Sequence, residues 1–376
     1  MSRYPALAAR LQQIDDWVGA GAVTGASVTV RYRGEEVAAH AVGEAQPGVP
    51  VTDRTLFGLA SVSKPVTAAV VMALVDDGQI SLEEPVARFV PEFAAPSAEG
   101  NPTWEASRGL VTIRHVLAHL SGLPEDLPPR TLRARDMPTL AELTDSLIAL
   151  PLQFEPGTEL RYSNAGYALL GRLIERVTGR DIWAFAHERL LGPMGLEDIV
   201  ARPGPEDAGR IATVADASHG GTVYESYNSQ YWRDLAIPWG GLFGTTAAVA
   251  DFAERFQTSR ALPISPAARR LMTTDQAEGV DGGLTSLRLV WRPAFWGFGW
   301  EVKGSKRRHW TGDYTSPATW CHWGAAGTLA WCDPETGITV AVFGNRITYN
   351  LWPFQPYARW ARLSNAIVAA IGEGRS

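Results

Sequence analysis

The sequence predicts an α+β fold: one antiparallel sheet built from both termini and flanked by helices, with an inserted, mostly helical lobe. Strand patterns lie near both ends of the chain, helix patterns lie at both extremities, and helical periodicity dominates the long middle. Because two β-rich ends can complete a single sheet, we expect residues 1–56 and 290–376 to form an α/β lobe that contains it. Residues 57–289 then form the helical lobe, and any functional site is expected at the junction.

The two ends supply the predicted strands. Near the start, apolar residues recur at helical spacing in "ALAARLQQIDDWV", and "ASVTVRYRGEEVAAHAVG" predicts two short strands joined at Arg33-Gly34. Near the end, "FGWEV", "WCHWGAAGTLAWCD" and "GITVAVFGNR" predict three strands, the last two joined by the turn "DPETG". A final apolar-periodic helix is expected over about 357–371.

The middle of the chain is helical by period. Four segments carry the pattern: 139–150, 166–179, 181–195 and 245–257. Residues with capping chemistry flank them: Thr139, Asp181 and Thr245 as N-caps, and Gly179 and Gly192 as C-terminal stops. This clustering predicts a helical insertion between the two halves of the sheet.

Composition and charge exclude several classes of function. The formal net charge is −6 and the longest basic run is "SKRRH", so nucleic acid and anionic membranes are poor partners. The longest apolar run, 68–75, is far short of the roughly 20 residues that a membrane span requires.

Polar residues interrupt the N-terminal stretch and there are only two cysteines, so we expect a cytoplasmic protein. Cys321 and Cys332 fit two buried thiols, although the sequence leaves open whether they pair.

The segment "GLASVSKPVTAAVVMALVDDG" places Ser61 and Lys64 three residues apart where an apolar helix begins. Positions i and i+3 share a helix face, so the amine can lie beside the hydroxyl. A serine needs a base to become a nucleophile, and burial near a helix N-terminus lowers the pKa of an amine toward that task. The motif by itself is a weak signal, because either serine could simply be an N-cap for the helix, so both interpretations stay open at this point.

A second motif, "PGTELRYSNAGYALLG", places Tyr162 and Asn164 just before a predicted helix. A phenol can relay a proton, and an amide can both donate and accept a hydrogen bond. The alternative is a turn whose polar residues only cap the helix.

A third motif, "CHWGAAGTLAWCD", lies on a predicted strand. His322 can face a site there, Gly324 leaves the backbone open to a ligand, and the N–H of Ala325 is suited to an oxyanion. The alternative for His322 is a hydrogen-bonded core histidine. Seven tryptophans between residues 291 and 331 either line an aromatic pocket or fill a core.

These three motifs, in this order, resemble the serine β-lactamase and penicillin-binding protein superfamily. The nearest branch is the class C β-lactamase-like one, with its family VIII esterases, D-aminopeptidases and D-Ala-D-Ala carboxypeptidases. The blocks "TLFGLASVSKPVTA", "IRHVLAHLSGLPE", "PGTELRYSNAGYALLGRLIERVTG", "GGLFGTTAAVADFA" and "HWGAAGTLAWCDPETGITVAVFGN" are each similar to that family, and they lie between about residues 23 and 347. The resemblance implies a β-lactamase/transpeptidase-like fold and chemistry without a metal or other cofactor.

The resemblance also implies a set of site residues: catalytic Ser61, Lys64 and Tyr162, an oxyanion hole made by the Ser61 and Ala325 amides, and substrate contacts from Asn164, His322, Trp323 and Gly324. His322-Trp323-Gly324 stands where the family often has Lys-Thr-Gly. A mostly neutral imidazole and an indole thus replace a cation and a hydroxyl suited to a substrate carboxylate. The indole favours apolar or aromatic acyl or alcohol groups.

The resemblance implies a serine hydrolase that forms an acyl-enzyme on Ser61, in the first place a carboxylesterase for small or medium acyl esters. The alternatives are an amide hydrolase (a D-aminopeptidase, a D-Ala-D-Ala carboxypeptidase or a β-lactamase) and an acyltransferase on the same fold. In each case the partner is a small-molecule ester or amide, and the sequence carries no signal of oligomeric state. A zinc site on His115 and His119 lacks a third ligand in the sequence pattern, so structural roles are expected for both.

Overall fold

Strands from the two ends of the chain form one antiparallel sheet in the computed structural model, which describes residues 4–128, 134–258, 262–348 and 355–374. In chain order the strands are β1 (Gly25–Tyr32), β2 (Glu35–Gln46), β3 (Val49–Pro50), β4 (Phe57–Gly58), β5 (Leu160–Arg161), β6 (Ile199–Ala201), β7 (Leu242–Gly244), β8 (Gly282–Leu284), β9 (Leu289–Trp291), β10 (Glu301–Val302), β11 (Trp320–Gly324), β12 (Thr328–Asp333) and β13 (Ile338–Gly344). Within the described residues, the main sheet has seven strands in the order β10-β11-β12-β13-β1-β2-β3. The predicted fold class is confirmed, whereas the lobe boundaries stay a prediction.

Helices cover the sheet and fill the insertion. In chain order they are α1 (Pro5–Leu11), α2 (Gln13–Gly19), α3 (Lys64–Asp76), α4 (Pro102–Ala106), α5 (Ile113–Leu117), α6 (Leu140–Ile148), α7 (Asn164–Thr178), α8 (Ile182–Ala186), α9 (Gln230–Leu235), α10 (Thr246–Glu254), α11 (Pro266–Thr273) and α12 (Gln355–Glu373). The predicted caps Thr139, Asp181 and Thr245 accept backbone N–H groups at the starts of α6, α8 and α10. In the described part of the chain, no helix is both long enough and apolar enough to cross a membrane.

Three predicted elements differ from the observed ones. The first helix is broken at Gln12 into α1 and α2. The helix predicted over 181–195 ends not at Gly192, which keeps φ −60°, but at Gly195, whose left-handed φ of +68° is one that glycine adopts without strain. The strand predicted as "WCHWGAAGTLAWCD" is the hairpin β11-β12, because the chain reverses at Gly327 with φ +97°.

Pairing of β1 with β13 joins the two ends of the chain. Val28 lies opposite Val342, and both are buried. On the other face, the Ser27 and Thr29 hydroxyls lie 3.0 and 2.8 Å from Thr246 Oγ1 on α10. Helices α1 and α2 contact the strands β2 and β1, and α1 also packs on α12. Since successive residues point to opposite faces, neighbouring residues on one strand contact different helices.

The register of β11 and β12 separates the two cysteines. Cys321 lies opposite Trp331 and Cys332 lies opposite Trp320. The two thiols therefore point to opposite faces of the sheet. Both are buried and free, which answers the pairing question that the sequence left open.

A buried ion pair anchors β10 to the segment that follows it. The fully buried Glu301 carboxylate accepts hydrogen bonds of 2.9 Å from Lys306 Nζ and from Trp310 Nε1, and His309 Nε2 lies 3.2 Å away. Burial raises the pKa of Glu301, but the attraction of Lys306 and the His309 contact outweigh it and hold that pKa at about 2. The charge on Glu301 is therefore retained through the ordinary pH range.

We expect Glu301→Gln to destabilise the protein by about 3–5 kcal/mol, because it leaves the buried Lys306 ammonium without its counter-charge. Urea unfolding followed by tryptophan fluorescence measures the loss. The matched control is Glu188→Gln, which breaks the exposed pair with Arg180 and should cost far less, because solvent screens that pair. Equal losses in the two variants would contradict a structural role for the buried pair.

Candidate active site

A tight turn after strand β4 presents Ser61. The turn is a 3-10 segment from Ala60 to Ser63, and α3 begins directly behind it at Lys64. Ala60 has φ +48°, a strained value for a residue with a side chain, and such strain is common at functional sites. Ser63 is fully buried and its Oγ accepts the N–H of Leu242 at 3.1 Å, so it fixes the turn. Ser61 is half-buried and lies on the same side of the turn as the lysine amine.

The Lys64 amine is fully buried and has three close oxygen neighbours. Its Nζ lies 3.1 Å from Ser61 Oγ, 2.7 Å from Asn164 Oδ1 and 2.8 Å from the Trp239 carbonyl oxygen. Burial lowers the pKa of Lys64 well below that of an ordinary lysine, and the nearby carboxylates of residues 125–126 raise it by less. The predicted one-turn spacing therefore does bring the amine to the hydroxyl.

The start of α7 carries Tyr162 and Asn164 to the same amine. Ser163 is the N-cap of the helix and its Oγ accepts a backbone N–H at 2.9 Å, so the residues on either side of it are fixed. The Tyr162 ring centroid lies 4.6 Å from Lys64 Nζ. Asn164 donates from Nδ2 to the Asp126 carboxylate at 3.2 Å, and this bond directs its Oδ1 toward Lys64.

His119 supports the tyrosine from behind, a role that the sequence does not predict. Its Nδ1 accepts the N–H of Ser163 at 3.0 Å, and its ring centroid lies 4.7 Å from that of Tyr162 and 5.1 Å from that of Trp296. Burial holds the pKa of His119 well below its usual value, and Lys64 lowers it further when its amine is protonated, so the ring is neutral. His115, the other histidine of the zinc hypothesis, belongs to the capping box of α5.

His322 faces the cleft from strand β11. Its ring centroid lies 6.1 Å from that of Tyr162 and 6.0 Å from that of Trp296. Its Nδ1 lies 2.8 Å from the Trp323 carbonyl oxygen, which only accepts, so Nδ1 carries the proton and Nε2 is a bare acceptor. Burial and repulsion by Lys64 lower the pKa of His322 to about 3. Within the described residues its Nε2 has no hydrogen-bond partner.

The end of β11 lies against the turn that holds Ser61. A β-carbon at Gly324 would lie 2.3 Å from both the Leu59 carbonyl oxygen and Thr328 Oγ1, so only glycine fits this crossing. Thr328 also donates to that carbonyl at 2.9 Å. The next residue, Ala325, packs against Ala60. The Ala325 amide is thereby held beside the turn of the predicted nucleophile.

Trp323 is not brought into this cluster. It lies in register with Leu329, on the sheet face opposite to His322, and its ring packs at a tilt against Trp310, with centroids 4.9 Å apart. Trp310 in turn contacts Trp360 on α12 at 6.3 Å. The tryptophans between residues 291 and 331 are all buried, and Trp296 is one that borders the cleft. A substrate contact by Trp323 stays a prediction.

The cleft thus gathers most of the predicted site residues at one place: Ser61, Lys64, Tyr162, Asn164, His322, Gly324 and Ala325. It also contains Asp126 and Trp239, which the sequence did not single out, together with Trp296 from the tryptophan cluster and His119 in its supporting role. They come from separate loops and turns, so no local spacing relates them to the serine. The block "IRHVLAHLSGLPE" contained His119, but its similarity indicated family membership and no contact.

Comparison with known proteins places the chain among relatives with this architecture. Penicillin-binding protein 4 of Amycolatopsis lactamdurans is 31% identical over 260 residues, which cover 68% of this chain and 64% of that protein. Esterase EstB of Burkholderia gladioli is 34% identical over 210 residues, or 51% of each chain. The chain therefore matches about half to two thirds of the length of these relatives. EstCE1, a hydrolase with promiscuous acyltransferase activity, has a TM-score of 0.76 at 22% identity over 96% of this chain and 98% of its own, which shows a shared fold.

The sequence profile of the Beta-lactamase family matches residues 7–359, nearly the whole chain. The matched region contains the main sheet, the helical insertion and every residue of the cleft described above. The resemblance found in the motifs is confirmed: this chain belongs to the Beta-lactamase family.

Proposed function

We propose that the protein is a serine hydrolase that forms an acyl-enzyme on Ser61, and that it acts as a carboxylesterase on small or medium acyl esters. The observation that carries this proposal is the buried Lys64 amine, 3.1 Å from Ser61 Oγ and with a lowered pKa. A buried amine next to a serine at a helix start has no evident structural use, since burial of the charged form is costly. Its use is as a base.

The hydrogen bonds around Lys64 leave a lone pair for the serine. A neutral amine has two N–H donors and one lone pair. Asn164 Oδ1 and the Trp239 carbonyl oxygen are both acceptors, so they take the two donors. The lone pair is then left for the Ser61 hydroxyl, which donates its proton to Nζ. This is the arrangement that a general base requires.

Acylation follows from these positions. Ser61 Oγ attacks the ester carbonyl carbon while its proton passes to Lys64 Nζ, and the Ser61 and Ala325 N–H groups stabilise the oxyanion. The carbon–oxygen bond to the alcohol breaks, and the departing oxygen takes a proton from the Tyr162 hydroxyl, which is replenished from Lys64. Water then attacks the acyl-enzyme, and the reverse proton transfers free the acid and Ser61.

The neutral His322 favours esters without a carboxylate near the reacting group. A lysine in that position would supply a positive charge, whereas the pKa of about 3 leaves His322 uncharged at neutral pH. An amide hydrolase is the second candidate, because the Tyr162 ring next to Lys64 is suited to protonate a leaving amine. EstB, one of the more similar relatives, is named as an esterase, which supports the first candidate.

We expect Ser61→Ala to lower kcat/KM for nitrophenyl acetate and butyrate by several orders of magnitude, because the nucleophile is removed. Nitrophenol release at equal protein concentration is the measurement. Ser63→Ala is the matched control: it removes only the hydrogen bond to the Leu242 N–H and should keep activity within about tenfold. Equal losses in both variants would refute an acyl-enzyme on Ser61.

Tyr162→Phe should slow hydrolysis of an ethyl ester much more than that of the corresponding nitrophenyl ester. The phenol's proton is needed by a departing ethoxide but hardly by nitrophenolate, so we expect roughly a hundredfold loss or more for the ethyl ester. The ratio of the two kcat/KM values in variant and wild type is the readout. A loss independent of the leaving group would assign Tyr162 a role other than proton donation.

On the acidic side of the pH profile, the acidic limb, kcat/KM should rise with the deprotonation of Lys64, because the neutral amine is the active base. Its midpoint is expected well below the ordinary lysine value, since burial lowers the pKa. Asp126→Asn removes a negative charge that raises this pKa, so the limb should move to lower pH. Glu188→Gln, on an exposed helix-end pair, should leave the limb in place. A shift to higher pH in Asp126→Asn would contradict the assignment.

A further inference from the structure

The backbone around Tyr162 has two supports, which come from different parts of the chain. The first is His119, whose carbonyl oxygen accepts the N–H of Arg161 at 2.9 Å and whose Nδ1 accepts the N–H of Ser163 at 3.0 Å. The second is the Gly283 carbonyl oxygen of β8, which accepts the N–H of Tyr162 itself at 3.0 Å. The hairpin β8-β9 therefore helps to hold the phenol that the proposed mechanism uses.

The hairpin packs closely on β5, the strand that leads to Tyr162. Strand β8 runs parallel to β5, with Leu160 opposite Gly282 and Arg161 opposite Gly283. A β-carbon at Gly282 would lie 1.9 Å from the Leu160 carbonyl oxygen, so this approach requires glycine. A shift of the hairpin would therefore move the backbone just before Tyr162.

The Glu125 carboxylate holds the turn of this hairpin. Ser286, which lies between β8 and β9, donates its N–H to Glu125 Oε2 at 2.8 Å and its hydroxyl to Glu125 Oε1 at 2.5 Å. Each carboxylate oxygen thus accepts one bond from the same residue. Ser286 is exposed, whereas the Leu284 and Leu287 side chains on either side of it are buried. Glu125 therefore fixes the polar outer side of a turn whose inner side is packed.

Glu125 also contacts the start of α7, through its backbone. Its carbonyl oxygen accepts the N–H of Asn164 at 2.8 Å, and the preceding carbonyl oxygen, that of Pro124, accepts the Ser163 hydroxyl at 2.7 Å. Glu125 therefore connects the hairpin that holds Tyr162 to the helix start that carries Asn164.

We propose that Glu125 is a positioning residue of the reaction: by binding Ser286 it braces the hairpin β8-β9 against the start of α7 and so fixes the Tyr162 phenol for proton donation to the leaving group. We call this contact the brace. It acts through the Tyr162 backbone, and a displacement of about 1 Å at a reacting group costs on the order of a hundredfold in rate. This inference rests on the proposed function, because it names a residue that positions the proton donor of the same site.

Loss of the brace should affect esters with poor leaving groups most. We expect Glu125→Ala to lower kcat/KM for ethyl butyrate roughly tenfold or more, because a displaced phenol protonates the departing ethoxide poorly. Nitrophenyl butyrate, whose leaving group hardly needs the proton, should lose much less. The readout is the ratio of the two kcat/KM values within each variant, from acid release in a pH-stat. Ser286→Ala, which removes one of the two bonds, should change the ratio in the same direction by less.

The chain offers a matched control at a distance from the cleft. The exposed Asp76 carboxylate accepts the N–H and the hydroxyl of Ser265, at 2.5 and 2.7 Å, which is the same pair of bonds. Asp76 ends α3, the 13-residue helix that Lys64 begins, so the two residues lie roughly 20 Å apart along the helix axis. Asp76→Ala should keep the wild-type ratio. A loss of stability common to both variants leaves each ratio unchanged.

Glu125→Gln separates the brace from the charge of Glu125. Burial lowers the pKa of Lys64, and the Asp126 and Glu125 carboxylates raise it by less, so a lost carboxylate also acts on the base. Glutamine lacks the charge, but its amide oxygen accepts the Ser286 N–H and its NH₂ group donates to the Ser286 hydroxyl. We expect Glu125→Gln to stay closer to the wild-type ratio than Glu125→Ala. An equal change in the two variants would assign the effect to charge and overturn the brace.

A double variant tests whether Glu125 acts through Tyr162. In the Tyr162→Phe background, Glu125→Ala should hardly change the ratio further, because the proton that the brace positions is already absent. A full additional change there would show that Glu125 acts by another route and would overturn the proposal.

Two kinds of failure are separable. If Glu125→Ala keeps the wild-type ratio, or if Asp76→Ala changes it as much, the brace is refuted while Ser61-dependent hydrolysis stands. If the wild type does not hydrolyse both esters, or if Ser61→Ala hydrolyses them equally well, the proposed carboxylesterase function is itself refuted.

Discussion

The burial of one amine, that of Lys64, is the constraint on which the rest of the cleft depends. An ammonium in this fully buried position is costly, so burial lowers the pKa of Lys64 well below that of an ordinary lysine. A neutral amine needs two acceptors for its donors, and the chain supplies them from two distant elements, Asn164 at the start of α7 and the Trp239 carbonyl. In the proposed mechanism, the lone pair of the neutral amine then faces the third neighbour, Ser61.

The Asn164 acceptor is fixed by a further set of contacts. Asn164 is oriented by Asp126, and its helix start is fixed by the Ser163 cap, whose own N–H is held by His119. His119 also packs on Tyr162, so one histidine positions both the cap and the phenol. The positions of Lys64, Tyr162 and Asn164 thus depend on supporting residues that do not contact the serine. These contacts explain how loop segments can hold the site residues in fixed positions.

The alternation of side chains between the two faces of the sheet decides which of them reach the cleft. Because neighbours on β11 point to opposite faces, His322 reaches the cleft while Trp323 joins Trp310 and α12. The same rule separates Cys321 from Cys332 across the hairpin. Gly324 then permits the close crossing with Leu59 that sets the Ala325 amide beside the nucleophile's turn. The buried pair of Glu301 and Lys306 lies on the segment preceding β11 and fixes that edge of the sheet.

The sequence by itself determined the local features: the strands of both termini, the helix caps at Thr139, Asp181 and Thr245, and the one-turn spacing of Ser61 and Lys64. These depend on neighbours a few residues apart, which periodicity and capping chemistry express directly. Its errors were also local, since Gly192 and Gly195 are equally good stop signals until the backbone shows which one is left-handed. Only the tertiary structure decided the state of the cleft. The lowered pKa of Lys64, the tautomer of His322, the support by His119, and the hydrogen bond from Asn164 to Asp126 arise from burial and from contacts between segments far apart in the chain, and no spacing in the sequence encodes them.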